Sequence, residues 1–320
     1  MEKRVAVIGN GAMTFDCIKI LNENVKSNLL LVISDPKFTS PGLDKRLSDF
    51  CSDYSIDYIR TSDLNAEHIE SSLLDLNLDY IFNIDSFTII KPSIFDIPNF
   101  GVVNFHNSYL PHYRGANATS WGIINDEKEF GVTWHLIDKG IDTGDILFQK
   151  LFDVRKNETA RTLIFKCIEE GIKLFRDNIS DLLNEKLLPR KQTGPESTYN
   201  RKNLPNEGYI NLEWNARKID CFVRGLDFRP FENKFVKAKL KLEGNEFIIN
   251  KIKTISKLSA SPSYSPGTLL QISEKGIEIT CEDSIILIED ISDLEGNNIQ
   301  FNSLDLSQHI DSNTENKIVA

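Results

Sequence analysis

The chain of 320 residues contains no run of about 18 apolar residues, the length a helix needs to cross a bilayer, so no transmembrane helix is expected. Its first residues, Met-Glu-Lys-Arg-Val-Ala-Val-Ile-Gly, lead into a short apolar strand rather than a secretory signal core, and a cytoplasmic protein is expected. Five cysteines, at 17, 51, 167, 221 and 281, form no Cys-x-x-Cys pair and have no histidine at metal-ligand spacing. Five reduced, mostly buried thiols and no bound metal are expected. No serine or cysteine lies in a recognisable nucleophile motif, which argues against a covalent acyl-enzyme. The turn Gly9-Asn10-Gly11-Ala12-Met13 ends on Thr14 where a dinucleotide fingerprint needs its third glycine, which counts against NAD. A broad basic face is missing too. The net charge of −10 divides as −7 over residues 1–200, +6 over 201–257 and −9 over 258–320. General nucleic-acid binding is therefore not expected; the local basic stretch is either a contact for a phosphate-bearing or acidic partner or a solvated face.

With 40% hydrophobic and 26% charged residues, the chain can bury one large domain and a smaller one. Strands expected at Arg4–Gly9, Leu29–Ser34, Asp57–Arg60 and Tyr80–Ile84 alternate with helices at Thr14–Asn24, Leu43–Ser52 and Ala66–Asp75. That alternation predicts an α/β fold with a doubly wound, mostly parallel sheet. Further on, a strand at Gly101–Phe105, a helix at 117–126, a strand at Gly131–Ile137 and a long amphipathic helix over 159–188 are expected. Residues 1–188 are read as the catalytic domain, the turn-rich stretch 189–208 as a linker, 209–305 as a smaller β-barrel-like domain, and 306–320 as a polar, frayed tail.

The chemistry concentrates between residues 100 and 150. Asn104 and His106 end one apolar strand, and Asp142 follows another, so an amide, an imidazole and a carboxylate can converge at the edge of a sheet. An amide N–H aimed at a carbonyl oxygen stabilises the charge that develops when an amine attacks, worth about 10² to 10³ in rate. A neutral imidazole takes the amine's proton, worth about 10² to 10⁴. The carboxylate orients the imidazole or a water. Taken singly, each residue is more often structural, and an Asp-x-Gly is usually a turn; their joint appearance in one ordered block favours catalysis. Tyr113 and Arg114 lie in the loop beyond His106, where the guanidinium is expected to hold the phosphate or carboxylate of the acceptor, the alternative being a pairing with a nearby Asp. His135 is read as packing on the sheet.

Asn104-Phe105-His106-Asn107-Ser108-Tyr109-Leu110-Pro111, followed by Arg114-Gly115 and by Asp142-Thr143-Gly144-Asp145-Ile146, resembles the signature of the folate-dependent formyltransferase family. That family includes methionyl-tRNA formyltransferase, glycinamide ribonucleotide formyltransferase and the sugar N-formyltransferases. The resemblance implies a Rossmann-like domain, 10-formyltetrahydrofolate as formyl donor, a primary amine as acceptor, and catalytic roles for Asn104, His106 and Asp142. By position it implies that Ser86, Phe87 and Thr88 meet the pterin, with Lys139, Gly140 and Ile141 on the opposing loop; the alternative for the first loop is an ordinary strand-to-helix connection. Tyr209-Ile210-Asn211-Leu212-Glu213-Trp214 resembles the start of the accessory domain of tRNA and sugar formyltransferases. After Arg114-Gly115 the chain reads Ala116-Asn117-Ala118-Thr119-Ser120-Trp121 rather than the Ala-Ala-Pro-Ile typical of methionyl-tRNA formyltransferases. With the Trp134-His135 pair, this looks closer to formylation modules associated with nonribosomal peptide synthetases. The expected acceptor is an aminoacyl group, carrier-linked before tRNA-linked, with an amino-sugar nucleotide as second choice. A non-catalytic docking module is the alternative from another class.

Overall fold

The computed structural model describes residues 2–24, 26–86, 88–242, 245–258 and 264–304. Phe87 and the tail from 306 lie outside them. Two compact units are present: one of residues up to Gly115 with Phe130–Phe152 and Phe165–Thr198, the other of Ala116–Glu129, Asp153–Ile164 and the residues from Tyr199 on. No helix among the described residues is long and apolar enough to cross a membrane.

The first half of the chain alternates as expected: β1 (Lys3–Gly9), α1 (Ala12–Glu23), β2 (Ser27–Ser34), α2 (Pro41–Asp53), β3 (Asp57–Arg60), α3 (Glu67–Leu74), β4 (Tyr80–Ile84), α4 (Pro92–Phe95) and β5 (Gly101–His106). There follow β6 (Arg114–Gly115), α5 (Ala118–Ile124), β7 (Glu129–Leu136), β8 (Ile146–Asp153), α6 (Ala160–Leu183) and β9 (Thr198–Tyr199). The main sheet has the order β3-β2-β1-β4-β5-β7-β8. β1 is parallel to both β2 and β4, and β5 is parallel to β4 and antiparallel to β7. β4 is buried at every position, as a strand covered on both faces must be. The chain leaves β1 and β4 side by side at a switch point, where ligands of α/β sheets bind.

Local chemistry explains the boundaries. Ser40 caps α2, its hydroxyl accepting from Leu43 N–H at 3.4 Å with Pro41 in the first turn. The Thr159 hydroxyl accepts from Thr162 N–H at 3.2 Å at the start of α6. That helix stops at Leu183, short of the expected 188, because Glu185 turns the chain at φ +59°. The strand β8 was not anticipated; it lies at the sheet's edge, and its later residues Lys150 and Leu151 are exposed, so it lacks the apolar continuity of β4. Residues 189–198, within the stretch read as a linker, belong to the first unit: Arg190 exchanges two backbone hydrogen bonds with Ile146, at 2.8 and 2.9 Å.

In the second unit, α7 (Ala216–Gly225) is capped by Asn215, whose side chain accepts from Lys218 N–H at 2.9 Å. The strands β10 (Lys239–Leu242), β11 (Asn245–Lys257), β12 (Leu269–Ser273), β13 (Gly276–Thr280) and β14 (Ser284–Ser292) form an antiparallel half-barrel of order β10-β11-β14-β13-β12. Ile219, Phe222 and Val223 of α7 pack with Leu240, Ile249, Ile279 and Ile288 of the strands in one core. α5 crosses α7 closely: a Cβ at Gly225 would fall 2.5 Å from Ile124 Cγ1 and 2.9 Å from Ser120 O. Three arginines of the basic stretch are paired within this unit, Arg217 with Asp126 and Asp220, Arg224 with Asp220, and Arg229 with Asp227 and Asp290.

Candidate active site

Strand register builds the site. In the parallel pair β4–β5, Asn83 lies opposite Asn104; in the antiparallel pair β5–β7, Asn104 lies opposite His135. Three polar side chains are therefore aligned across adjacent strands, and His106 ends β5 two residues on. Asn83 Nδ2 donates to Asn104 Oδ1 at 2.7 Å, and Asn104 Nδ2 lies 3.0 Å from His135 Nε2. His135 Nδ1 donates to Leu136 O at 2.8 Å.

Asp142 closes the arrangement from the loop after β7. Its Oδ2 accepts from Gly115 N–H at 2.8 Å and lies 3.4 Å from His106 Nδ1, while Oδ1 lies 3.5 Å from His135 Nε2. The loop is held by Gln192, whose Nε2 donates to Asp142 O and Gly144 O at 2.8 and 2.7 Å. It also needs glycine at 144, where a Cβ would fall 1.8 Å from Leu136 O. Burial alone would raise the Asp142 carboxyl, but His106, His135 and the Gly115 N–H together hold it well below the usual carboxylate range.

His106 is 8% exposed, and its Nε2 donates to Tyr113 O at 2.8 Å. That bond leaves Nδ1 as the basic nitrogen, facing Asp142. The loop from 107 to 113 is fixed by Ser108, whose hydroxyl donates to His112 O at 2.6 Å, and by Thr133, whose hydroxyl donates to Ser108 O at 2.7 Å and accepts from Leu110 N–H at 3.1 Å.

The structure thus brings Asn104, His106 and Asp142 together, and adds two residues. His135, read from sequence as packing on the sheet, links Asn104 to Asp142 instead; only the antiparallel register puts it there. Asn83 lies in a strand of otherwise apolar type and carries no signal by itself. Arg114 is paired internally, with a glutamine and a glutamate rather than with the aspartate of its alternative reading. It is 8% exposed, its Nε and Nη2 donate to Gln192 Oε1 at 3.0 and 2.8 Å, and its Nη1 pairs with Glu196. No free guanidinium is left for a substrate anion. Tyr113 is buried, and its carbonyl rather than its ring meets the site. Ser86 and Thr88 are half-buried and outside any helix or strand, Lys139, Gly140 and Ile141 are exposed, and Phe87 lies outside the described residues. All five cysteines are buried and free, and burial raises the Cys17 and Cys167 thiols, so neither is poised as a nucleophile.

At the switch point the turn after β1 is occupied by its own side chain. Asn10 Oδ1 accepts from Asp35 N–H at 2.6 Å and from the Thr39 hydroxyl at 3.3 Å, and Nδ2 donates to Asp85 O at 3.2 Å. Gly11 has no Cβ, and one there would fall 2.2 Å from Asp85 Oδ2. Burial pushes the Asp85 carboxyl up to about 6. A carboxylate with a raised folded-state value favours the protonated native form, so stability is greatest below about pH 4 and falls as pH rises towards 6. Asp85→Asn is expected to match the wild type near pH 4 and to be more stable by about 1–2 kcal/mol at pH 7.5, allowing for the residue's partial exposure. Thermal denaturation at the two pH values checks this, and an equal gap at both would refute it.

The formyl transferase profile matches residues 3–179, and that for the formyl transferase C-terminal domain matches 204–305. The chain belongs to the formyl transferase family. It is a folate-dependent formyltransferase of methionyl-tRNA formyltransferase-like type. A methionyl-tRNA formyltransferase from Clostridium tetani is 32% identical over 221 residues, 68% of either chain. One from Citrifermentans bemidjiense is 32% identical over 221 residues, 69% of this chain and 66% of that one. Among solved structures, the N-formyltransferase from Helicobacter canadensis in complex with folinic acid and dTDP-3-aminofucose shares the fold, with a TM-score of 0.67 and 23% identity over 90% of this chain and 99% of that one.

Proposed function

We propose that the protein moves the formyl group of 10-formyltetrahydrofolate to the primary amine of an aminoacyl group, carried on a protein ahead of a tRNA. The observation that carries this is the continuous contact from Asn104 through His135 and Asp142 to His106. The folate supplies an activated formyl carbon when bound. Asn104 has one amide hydrogen engaged by His135, and its second is directed to the carbonyl oxygen as negative charge develops there. His106 Nδ1 takes the proton of the attacking amine and would return it to the folate nitrogen that leaves as its bond to the formyl carbon breaks, while Nε2 keeps its bond to Tyr113 O. Asp142 then faces an imidazolium across 3.4 Å, a stabilisation that strengthens as the charge forms.

The residues present fit a folate. Ser86 and Thr88 keep their backbone outside any ladder, and Ile89 and Ile141 are 73% and 48% exposed, an apolar edge for a flat ring beside polar groups. We assign the pterin to Ser86, Thr88 and Lys139 to Ile141, with Phe87 included on sequence grounds. We likewise keep 1–188 as the catalytic domain and 209–305 as the accessory domain, a division in two supported by the family matches to 3–179 and 204–305; of the connection 189–208, residues 189–198 pack in the first unit. For the acceptor, the methionyl-tRNA formyltransferase relatives support an aminoacyl amine. The internal pairing of Arg217, Arg224 and Arg229 leaves fewer guanidinium groups for a phosphate backbone, which supports a carrier protein over tRNA. An amino-sugar nucleotide is the second reading, favoured by the fold shared with the Helicobacter canadensis enzyme. Incubation with 10-formyltetrahydrofolate and an aminoacyl carrier protein, methionyl-tRNA or a dTDP-amino sugar, with mass detection of one added formyl group, separates the readings; no formylation of any amine would sink the proposal.

A further inference from the structure

We infer that Asn83 is a positioning residue that fixes which end of the Asn104 amide faces the reacting carbonyl. The inference rests on the role proposed above for Asn104. An amide has a donor end and an acceptor end of nearly the same shape, and catalysis needs the donor end turned to the substrate oxygen.

The direction of the chain can be worked out from its far end. Leu136 O can only accept, so the His135 nitrogen 2.8 Å from it, Nδ1, carries a hydrogen. In the neutral ring Nε2 is then an acceptor, so the Asn104 atom 3.0 Å away is the NH₂. Asn104 Oδ1 therefore points at Asn83, and the Asn83 atom 2.7 Å from it must be a donor, Nδ2. Each step leaves one polarity for a neutral ring; a hydrogen on Nε2, directed at Asp142 Oδ1 3.5 Å away, would reverse the chain. Asn83 is the end of the chain that can be changed without touching a group beside the substrate: it is 6% exposed and lies on β4, one strand behind Asn104.

A second observation separates positioning from structural support. Asn83 Oδ1 is buried and has no hydrogen-bond partner. A buried unpaired carbonyl costs stability, and an apolar residue in this apolar strand would avoid that cost. The asparagine is therefore poorly explained by folding and well explained by the donor it offers to Asn104.

Two variants of the same branched shape test this. Asn83→Leu removes the donor and the orphan carbonyl together, and lets the Asn104 amide turn over. Its melting temperature is expected at or above the wild-type value, with kcat about tenfold lower and both KM values within about twofold. Asn83→Asp offers only an acceptor when ionised, which draws the Asn104 NH₂ to residue 83 and turns its carbonyl towards His135 and the substrate. A loss of kcat of about 10² to 10³ is expected, the size of losing one oxyanion donor, with partial recovery at low pH as the new carboxyl gains a hydrogen. Turnover is read with whichever of the three acceptors is formylated. A readout independent of the acceptor is ¹⁵N-histidine NMR. His135 is expected with Nδ1 protonated and Nε2 bare in the wild type and in Asn83→Leu, and with Nε2 protonated in Asn83→Asp. A doubly protonated His135 in the wild type at pH 7, or an unchanged His135 in Asn83→Asp, would overturn the inference. So would an inactive Asn104→Ala beside a fully active Asn83→Leu, since Asn104 would then act without Asn83. A fully active Asn104→Ala would instead remove the catalytic reading on which Asn83 depends.

Discussion

Asp142→Asn is expected to lower kcat by about 10³ while leaving the fold intact. The substitution keeps the shape, and its amide oxygen can still accept the Gly115 N–H that Asp142 Oδ2 takes at 2.8 Å. What disappears is the negative charge 3.4 Å from His106 Nδ1. His106 is buried and its other nitrogen is fixed on Tyr113 O, so a proton arriving at Nδ1 leaves an imidazolium with no counter-charge and little water. The ground state loses much less, because a neutral imidazole gains little from the carboxylate. KM for either substrate should therefore change by less than about threefold, the mark of an interaction made mainly in the transition state. Stability shifts with pH in the matching sense. A carboxyl held below its unfolded value supports the native state above about pH 4 and ceases to as pH falls, so the wild type should lose stability in acid more steeply than Asp142→Asn. Steady-state formylation with parallel circular dichroism tests the claim, and a variant within about tenfold of wild-type kcat would remove Asp142 from the mechanism.

The second large effect is on folding. Trp134 is fully buried on β7, with ring centroids 4.7 Å from Phe175, 5.1 Å from Phe105 and 6.1 Å from Phe148, and its Nε1 donates to Gly171 O at 3.1 Å. The helix α6 comes close here: a Cβ at Gly171 would fall 2.4 Å from Phe105 Cε2, so the helix backbone cannot be replaced by a bulkier surface. Trp134→Ala leaves a cavity that rigid neighbours cannot fill and removes the bond to Gly171 O. The expected loss is about 3–5 kcal/mol, a large share of the roughly 5–15 kcal/mol that holds a typical domain folded. A fall in melting temperature on the order of 10 °C follows. Because Phe105 and Trp134 alternate with Asn104 and His135 along paired strands, any repacking also loosens the 3.0 Å contact between those side chains, and kcat should fall at temperatures where the variant is still folded. A melting temperature within about 3 °C of wild type would show that this cluster is not the keystone of the sheet.

How much of this was legible without coordinates depends on the range of the interaction involved. The strands Asp57–Arg60 and Tyr80–Ile84 fall where the sequence pattern put them; for Tyr80–Ile84, burial at every position leaves a run that is apolar except for Asn83. Asn104, His106 and Asp142 could be picked out as an ordered set, since their identities and spacing survive in the linear chain. His135 and Asn83 could not. A histidine in an alternating strand and an asparagine in an apolar one are ordinary features until strand register places both against Asn104. Gln192 and Glu196 sit among turn formers that read as a linker, yet they hold the Asp142 loop and Arg114; nothing local in a polar, proline-rich segment says which groups it will meet.

The amino-acid sequence by itself determined the alternation of strands and helices, the absence of a nucleophile motif, and the identity of the amide, imidazole and carboxylate, because these depend on residue type and short-range periodicity. Tertiary structure alone decided which nitrogen of His106 faces Asp142, which end of the Asn104 amide is turned outward, and that Arg114 is already paired. Those outcomes are set by hydrogen bonds between strands and loops distant in the chain, whose partners become neighbours only when the sheet has formed.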